Sequence, residues 1–189
     1  MLPWKTTEIC WSINFRTKPF QVRVSSRTLL PTSFSKLQDF DIFCLDPCLP
    51  SGATHSQDGV EFIGTGNYTA CFSSLRPLLH KETCSALDQT CSLNGHFQPT
   101  FDSVSEFFGF SEFFYTSEDC LHLAGRWNFD LFRKEAESYC ATKWSKLEEN
   151  WKADKYKADA NRLKNQCFKS AWVPVSIIAM NFTSIVNLS

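Results

Sequence analysis

The groups in this chain that could do chemistry are a few carboxylates, thiols and imidazoles and one glycine-rich turn. Glu106 and Glu112, inside the aromatic run Ser105 to Tyr115 (SEFFGFSEFFY), could act as general acid or base. No sequence signal sets a partner beside either, so a solvated or hydrogen-bonded carboxylate is the expected state. Cys120 lies two residues from both Glu118 and His122. On a helix, positions i and i+2 do not face each other, so an unpaired cysteine is expected rather than a thiol–imidazole pair. Gly64-Thr65-Gly66 lacks the Gly-Lys-Ser/Thr that completes a phosphate loop, and it reads as a turn. Cys44-x3-Cys48, Cys84-x6-Cys91, His80 and His96 never give the paired short spacings of a zinc ribbon or finger, so no metal site is expected from them.

The cysteines number nine, so at least one is left over if the others pair as disulfides. Asn67-Tyr68-Thr69, Asn181-Phe182-Thr183 and Asn187-Leu188-Ser189 each fit the N-glycosylation acceptor pattern. Sequons joined to a dense cysteine frame point to the lumen of the secretory pathway. Met1 to Asp41 carries Lys5, Glu8, Arg16, Lys18, Arg23, Arg27 and Lys36 and no apolar segment of export-signal length. Ala171 to Ser189 is uncharged, yet Pro174 and its polar residues argue against a membrane span and suggest a poorly specified terminus. Both ends read unlike the middle, the pattern of a truncated or wrongly joined gene model. The 189 residues suit one domain, or one lobe of a larger one. A net charge of -1 and a pI near 6.4 give no footprint for nucleic acid or an anionic membrane surface.

Several elements can be read from the pattern. Val60 to Ile63 suggests a short strand ending at the turn of Gly64 and Gly66, and Tyr68 to Leu79 a short helix. Ser117 resembles the N-cap of a helix ending at Gly125. Asn128 is a plausible N-cap for an amphipathic helix carrying Phe129, Phe132, Ala136, Cys140, Trp144, Leu147 and Trp151. That helix would run about six turns. A second helix carries Leu163, Cys167 and Ala171 toward Trp172 and is closed by Pro174; set antiparallel, the two could bring Cys140 and Cys167 together. Buried core is the default reading of the Phe-rich run.

Six strings in fixed order carry a resemblance: DPCLPSG (Asp46 to Gly52), GTGNYTAC (Gly64 to Cys71), CSLNGHFQP (Cys91 to Pro99), FFGFSEFFYTSEDCL (Phe107 to Leu121), YCATKWS (Tyr139 to Ser145) and RLKNQCFKSAW (Arg162 to Trp172). Together they resemble the C-terminal lobe of the ecto-nucleoside triphosphate diphosphohydrolases, the apyrase family. The SEFFGFSEFFYTSED, YCATKWS and QCFKSAW strings are most similar to its Golgi and lysosomal intracellular branch, which favours nucleoside diphosphates such as UDP. The resemblance runs from about Leu45 to Trp172. It implies an α/β fold: a partial C-terminal lobe of an actin-like (ribonuclease H-like) two-lobed nucleotidase, with disulfides. Residues 44–172 would form that partial lobe, between unrecognised segments 1–43 and 173–189.

In the family, water attacks the terminal phosphorus of a nucleoside di- or triphosphate held with Ca2+ or Mg2+ between the lobes. Its phosphate motifs (Asp-x-Gly-Gly, Asp-Ala-Gly-Ser, Glu-Gly-x-x-Gly) do not occur in this sequence, so no catalytic or metal-binding residue is assigned and the chain is expected to be inactive alone. The resemblance does assign a nucleobase clamp to Tyr115 and Arg162. A phenol ring and a flat guanidinium can sandwich any base. It also pairs Cys48 with Cys71, Cys84 with Cys91 and Cys140 with Cys167, leaving Cys10, Cys44 and Cys120 over. The alternative is a non-catalytic, disulfide-framed secreted binding module or a regulatory truncated isoform.

Overall fold

The computed structural model describes residues 9–11, 19–24, 42–81, 84, 90–91, 93–98, 107–180 and 186–188. These make a mixed α/β structure. Strands β1 (Ile9–Trp11), β2 (Pro19–Val24) and β3 (Ile42–Asp46) pair antiparallel in sequence. β4 (Thr54–Gln57) and β5 (Val60–Gly64) form a hairpin on the edge, and β5 runs parallel to β3. The sheet order is therefore β1-β2-β3-β5-β4. Asp58 and Gly59 turn the hairpin at φ of 51° and 78°, the doubly left-handed conformation that a two-residue turn between twisted strands requires.

Helix α1 (Tyr68–Leu75) starts where Asn67 Oδ1 accepts the Ala70 N–H at 2.9 Å, and it buries Tyr68, Cys71 and Leu75. The chain tightens at Arg76–Leu79 into a 3-10 turn with Pro77 near its start, so the α-helix is shorter than predicted. β6 (Phe107–Gly109), α2 (Glu112–Glu118) and β7 (Gly125–Arg126) follow. The predicted helix capped by Ser117 is not formed, because Ser117 falls in the last turn of α2. There its hydroxyl donates to the Phe113 carbonyl at 2.9 Å, spending on the preceding turn the group that capping needs. The Phe-rich run departs from the buried reading as well: Phe108 is 51% exposed and Phe110 65%.

The predicted six-turn helix is two helices, α3 (Phe129–Ala141) and α4 (Trp144–Lys152). Asn128 does cap α3, accepting the Leu131 N–H at 3.0 Å. The break has a mechanical cause. In a continuous helix the Trp144 N–H would bond the Cys140 carbonyl. Instead Ser51 is inserted between them, its N–H donating to Cys140 O at 3.0 Å and its carbonyl accepting Trp144 N–H at 2.8 Å. Thr142, at φ -67° and ψ 132°, leaves the helical region there.

Pro174 does not close α5 (Ala160–Ala179), which runs through it. Proline cannot donate to the carbonyl four residues back, that of Ser170, and this carbonyl accepts the Tyr68 hydroxyl of α1 at 3.4 Å. The uncharged end is thus better specified than expected: Val173, Pro174, Val175, Ile177 and Ala179 are buried, and β8 (Val186–Leu188) joins β6 and β7 in a second sheet of order β6-β8-β7. No helix among the described residues is long and apolar enough to cross a membrane. The main core lies where α1 and α3 pack on α5, around Phe132, Leu147, Leu163 and the Cys140–Cys167 bond. Tyr139 is tied into it by donating to the Leu163 carbonyl at 2.7 Å.

Disulfides join Cys48 to Cys71, Cys84 to Cys91 and Cys140 to Cys167. Cys44 is disulfide-bonded too, a correction to its being left over. The side chain of Cys10 lies outside the described residues.

Candidate functional site

Helix α2 is docked on α5 by polar bonds. Gln166 Nε2 donates to the Thr116 carbonyl at 2.7 Å and to Ser170 Oγ at 3.0 Å, all in the interior. At the rim, Lys169 Nζ lies 2.7 Å from Glu112 Oε2, so Glu112 is a surface ion-pair partner and not a free acid. At the other end, Asp159 caps α5 by accepting the Arg162 N–H at 2.8 Å. These fixings bring the two assigned clamp residues together. Arg162 Cζ lies 5.1 Å from the centre of the Tyr115 ring. Tyr115 is 44% exposed and the Arg162 side chain 34%, so the pair sits at the surface.

Arg162 Nη2 also pairs with Asp119 Oδ2. Asp119 is a residue that sequence reading missed, although its spacing of four from Tyr115 puts both on one face at the end of α2. A flat molecule held between ring and guanidinium needs two contact layers, about 7 Å in all. At 5.1 Å the pair is closed on itself.

The other candidates are occupied structurally. In the Gly64-Thr65-Gly66 turn the three N–H groups donate to the carbonyls of Ala53, Asp46 and Leu49 at 2.7, 2.9 and 3.0 Å. None remains for a phosphate. Glu118 Oε1 lies 2.6 Å from Lys157 Nζ, and that hydrogen bond holds its carboxyl below the usual range. Cys120 is a free, buried thiol whose pKa burial pushes up to about 12, against a smaller opposing effect from its bond with Tyr139. It is no nucleophile at neutral pH. N-Ethylmaleimide should leave Cys120 unlabelled in the native chain and modify it after unfolding without reductant. Mass spectrometry of the Cys120 peptide would read this, and native labelling at the rate of a free thiol would refute it. Glu106 and Asn181 lie outside the described residues, as does the side chain of Asn187. Asn67 is exposed and uses its carbonyl oxygen as the α1 cap.

A model of the GDA1/CD39 (nucleoside phosphatase) family matches residues 25–184. Ectonucleoside triphosphate diphosphohydrolase 7 of Xenopus tropicalis is 42% identical over 135 residues, 68% of this chain and 22% of that protein. Ectonucleoside triphosphate diphosphohydrolase 4 of Homo sapiens is 43% identical over 140 residues, 70% of this chain and 22% of that protein. The Golgi apyrase of Schizosaccharomyces pombe is 35% identical over 130 residues, covering 67% and 23%. The chain thus spans less than a quarter of the length of these relatives. With the family match extending over most of its residues, this chain belongs to the GDA1/CD39 (nucleoside phosphatase) family.

Proposed function

We propose that this chain supplies the nucleobase-binding part of a nucleoside di- or triphosphate hydrolase of the secretory-pathway lumen. The observation that carries the reading is the Arg162 guanidinium 5.1 Å above the Tyr115 ring, at a surface position. A ring and a guanidinium plane grip a base by its faces and read none of its edges, so UDP, GDP and ATP are all admissible. The reading takes residues 44–172 as a partial C-terminal lobe of an actin-like fold; the mixed α/β architecture and the family membership support it. The disulfides support an oxidising compartment. Asn67, Asn181 and Asn187 are the proposed glycan acceptors, and the exposure of Asn67 supports the first.

Ca2+ or Mg2+ needs several converging oxygen ligands. Among the described residues no group of three or more His, Cys, Asp or Glu could hold a metal ion. No step of phosphate chemistry is assigned to this chain, because the family's phosphate motifs do not occur in its sequence. The purified chain is expected to bind UDP, detected by saturation-transfer NMR, and to lose that binding in Tyr115→Ala and Arg162→Ala. It is expected to release no phosphate above blank from UDP, GDP or ATP with either cation. Turnover abolished by Arg162→Ala would overturn the inactivity, and absence of UDP binding would overturn the clamp. The exposed Phe97, Phe108 and Phe110 favour a second reading, a non-catalytic binding module or regulatory truncated isoform. That reading gains if UDP binding is absent and a partner protects these rings.

A further inference from the structure

We infer that Asp119 is the positioning residue of the clamp: its carboxylate holds the Arg162 guanidinium over Tyr115 and raises affinity for the base without touching it. This assignment rests on the clamp reading above. Arg162 Nη2 meets Asp119 Oδ2 with an edge of the guanidinium, which leaves the faces for stacking. The carboxylate is the fixed partner, since the Asp119 side chain is only 9% exposed and Asp119 caps the C-terminus of the helix that carries Tyr115. Ring and anchor therefore belong to one rigid element, and the arginine arrives from another. The nearby lysines are engaged elsewhere, Lys157 with Glu118 and Lys169 with Glu112, so Arg162 is the cation that Asp119 holds.

The Asp119 backbone is secured independently of its side chain. Its N–H donates to the Tyr115 carbonyl and its carbonyl accepts the Lys157 N–H, each at 2.9 Å. The side chain is thus not needed to make the turn. An arginine without an anchor samples many rotamers in water, and ordering it on binding costs affinity; turning about its Asp119 contact to widen the 5.1 Å gap, it admits the base while its edge stays held.

The test is Asp119→Asn, which keeps the shape and the backbone bonds and removes the charge. UDP affinity of the full chain is expected to fall about tenfold, between the effects of losing an exposed and a buried pair. Any affinity for ribose phosphate, which has no base, should not change. The Arg162 guanidinium N–H signal in NMR is expected to be sharp in the parent chain and to broaden in the variant, and Asp119→Glu should restore part of both effects. UDP binding that is lost in Arg162→Ala but unchanged in Asp119→Asn would overturn the role of Asp119 and leave the clamp standing. A parent chain that binds no UDP, or binds it equally well as Arg162→Ala, would overturn the clamp and this inference with it.

Discussion

Gly66→Ala is expected to destabilise the fold severely. A Cβ at Gly66 would lie 2.1 Å from the Cys140 carbonyl oxygen and 2.9 Å from the Ser51 nitrogen, both backbone atoms. No rotamer change relieves such a clash. The same residue has a φ of +62°, which favours glycine on its own account. Gly66 sits where three segments meet: its N–H donates to Leu49 O, and Ser51 bridges Cys140 and Trp144 in the break between α3 and α4. Backbone that cannot move without breaking this junction should raise the cost to about 4 kcal/mol. That is a large share of the stability of a typical domain. Gly52→Ala is the control, with a φ of +76° but nothing within 4 Å of the added carbon. It should cost about 1 kcal/mol, from backbone strain alone. Thermal denaturation of the purified chains would separate the two, and a Gly66→Ala chain that melts within a few degrees of Gly52→Ala would refute the argument.

The same junction explains what the sequence could and could not reveal. Local signals held where the deciding atoms lie within a few residues: Asn128 caps its helix, and Val60 to Ile63 is a strand leading into a glycine turn. Apart from Ser117, whose hydroxyl is taken by Phe113 four residues back, they failed where a distant atom decides. Periodicity across Thr142 reads as one helix because Phe132, Ala136, Cys140, Trp144 and Leu147 keep helical spacing. The insertion of Ser51, about ninety residues earlier, is invisible to spacing. Pro174 reads as a stop because nothing nearby shows that Tyr68 will satisfy the Ser170 carbonyl. The site divides in the same way. Tyr115 and Arg162 came from a family resemblance. Asp119 was legible only as one acid among several, until packing of α2 on α5 set it beside the guanidinium.

Removing the Cys140–Cys167 bond, by Cys140→Ala with Cys167→Ala, is expected to be more damaging than removing Cys84–Cys91. The bonded residues are 27 apart in sequence, so the cross-link restrains a long stretch of unfolded chain. The chain-entropy relation puts that at about 3.5 kcal/mol. The same relation gives about 2.5 kcal/mol for Cys84–Cys91, separated by 7. Packing widens the difference, since Cys140 and Cys167 are fully buried where α3 meets α5, whereas Cys84 and Cys91 are partly exposed. The loss should lower the melting temperature by roughly 10 °C. It should also weaken UDP binding, because α5 carries Arg162 and the bond fixes that helix against α3. Wild-type chain melted under strong reductant, which opens the other disulfides as well, should melt no higher than the double variant. If instead Cys84→Ala with Cys91→Ala lowers the melting temperature as much or more, the long-range clamp of α3 on α5 is not what holds this fold together.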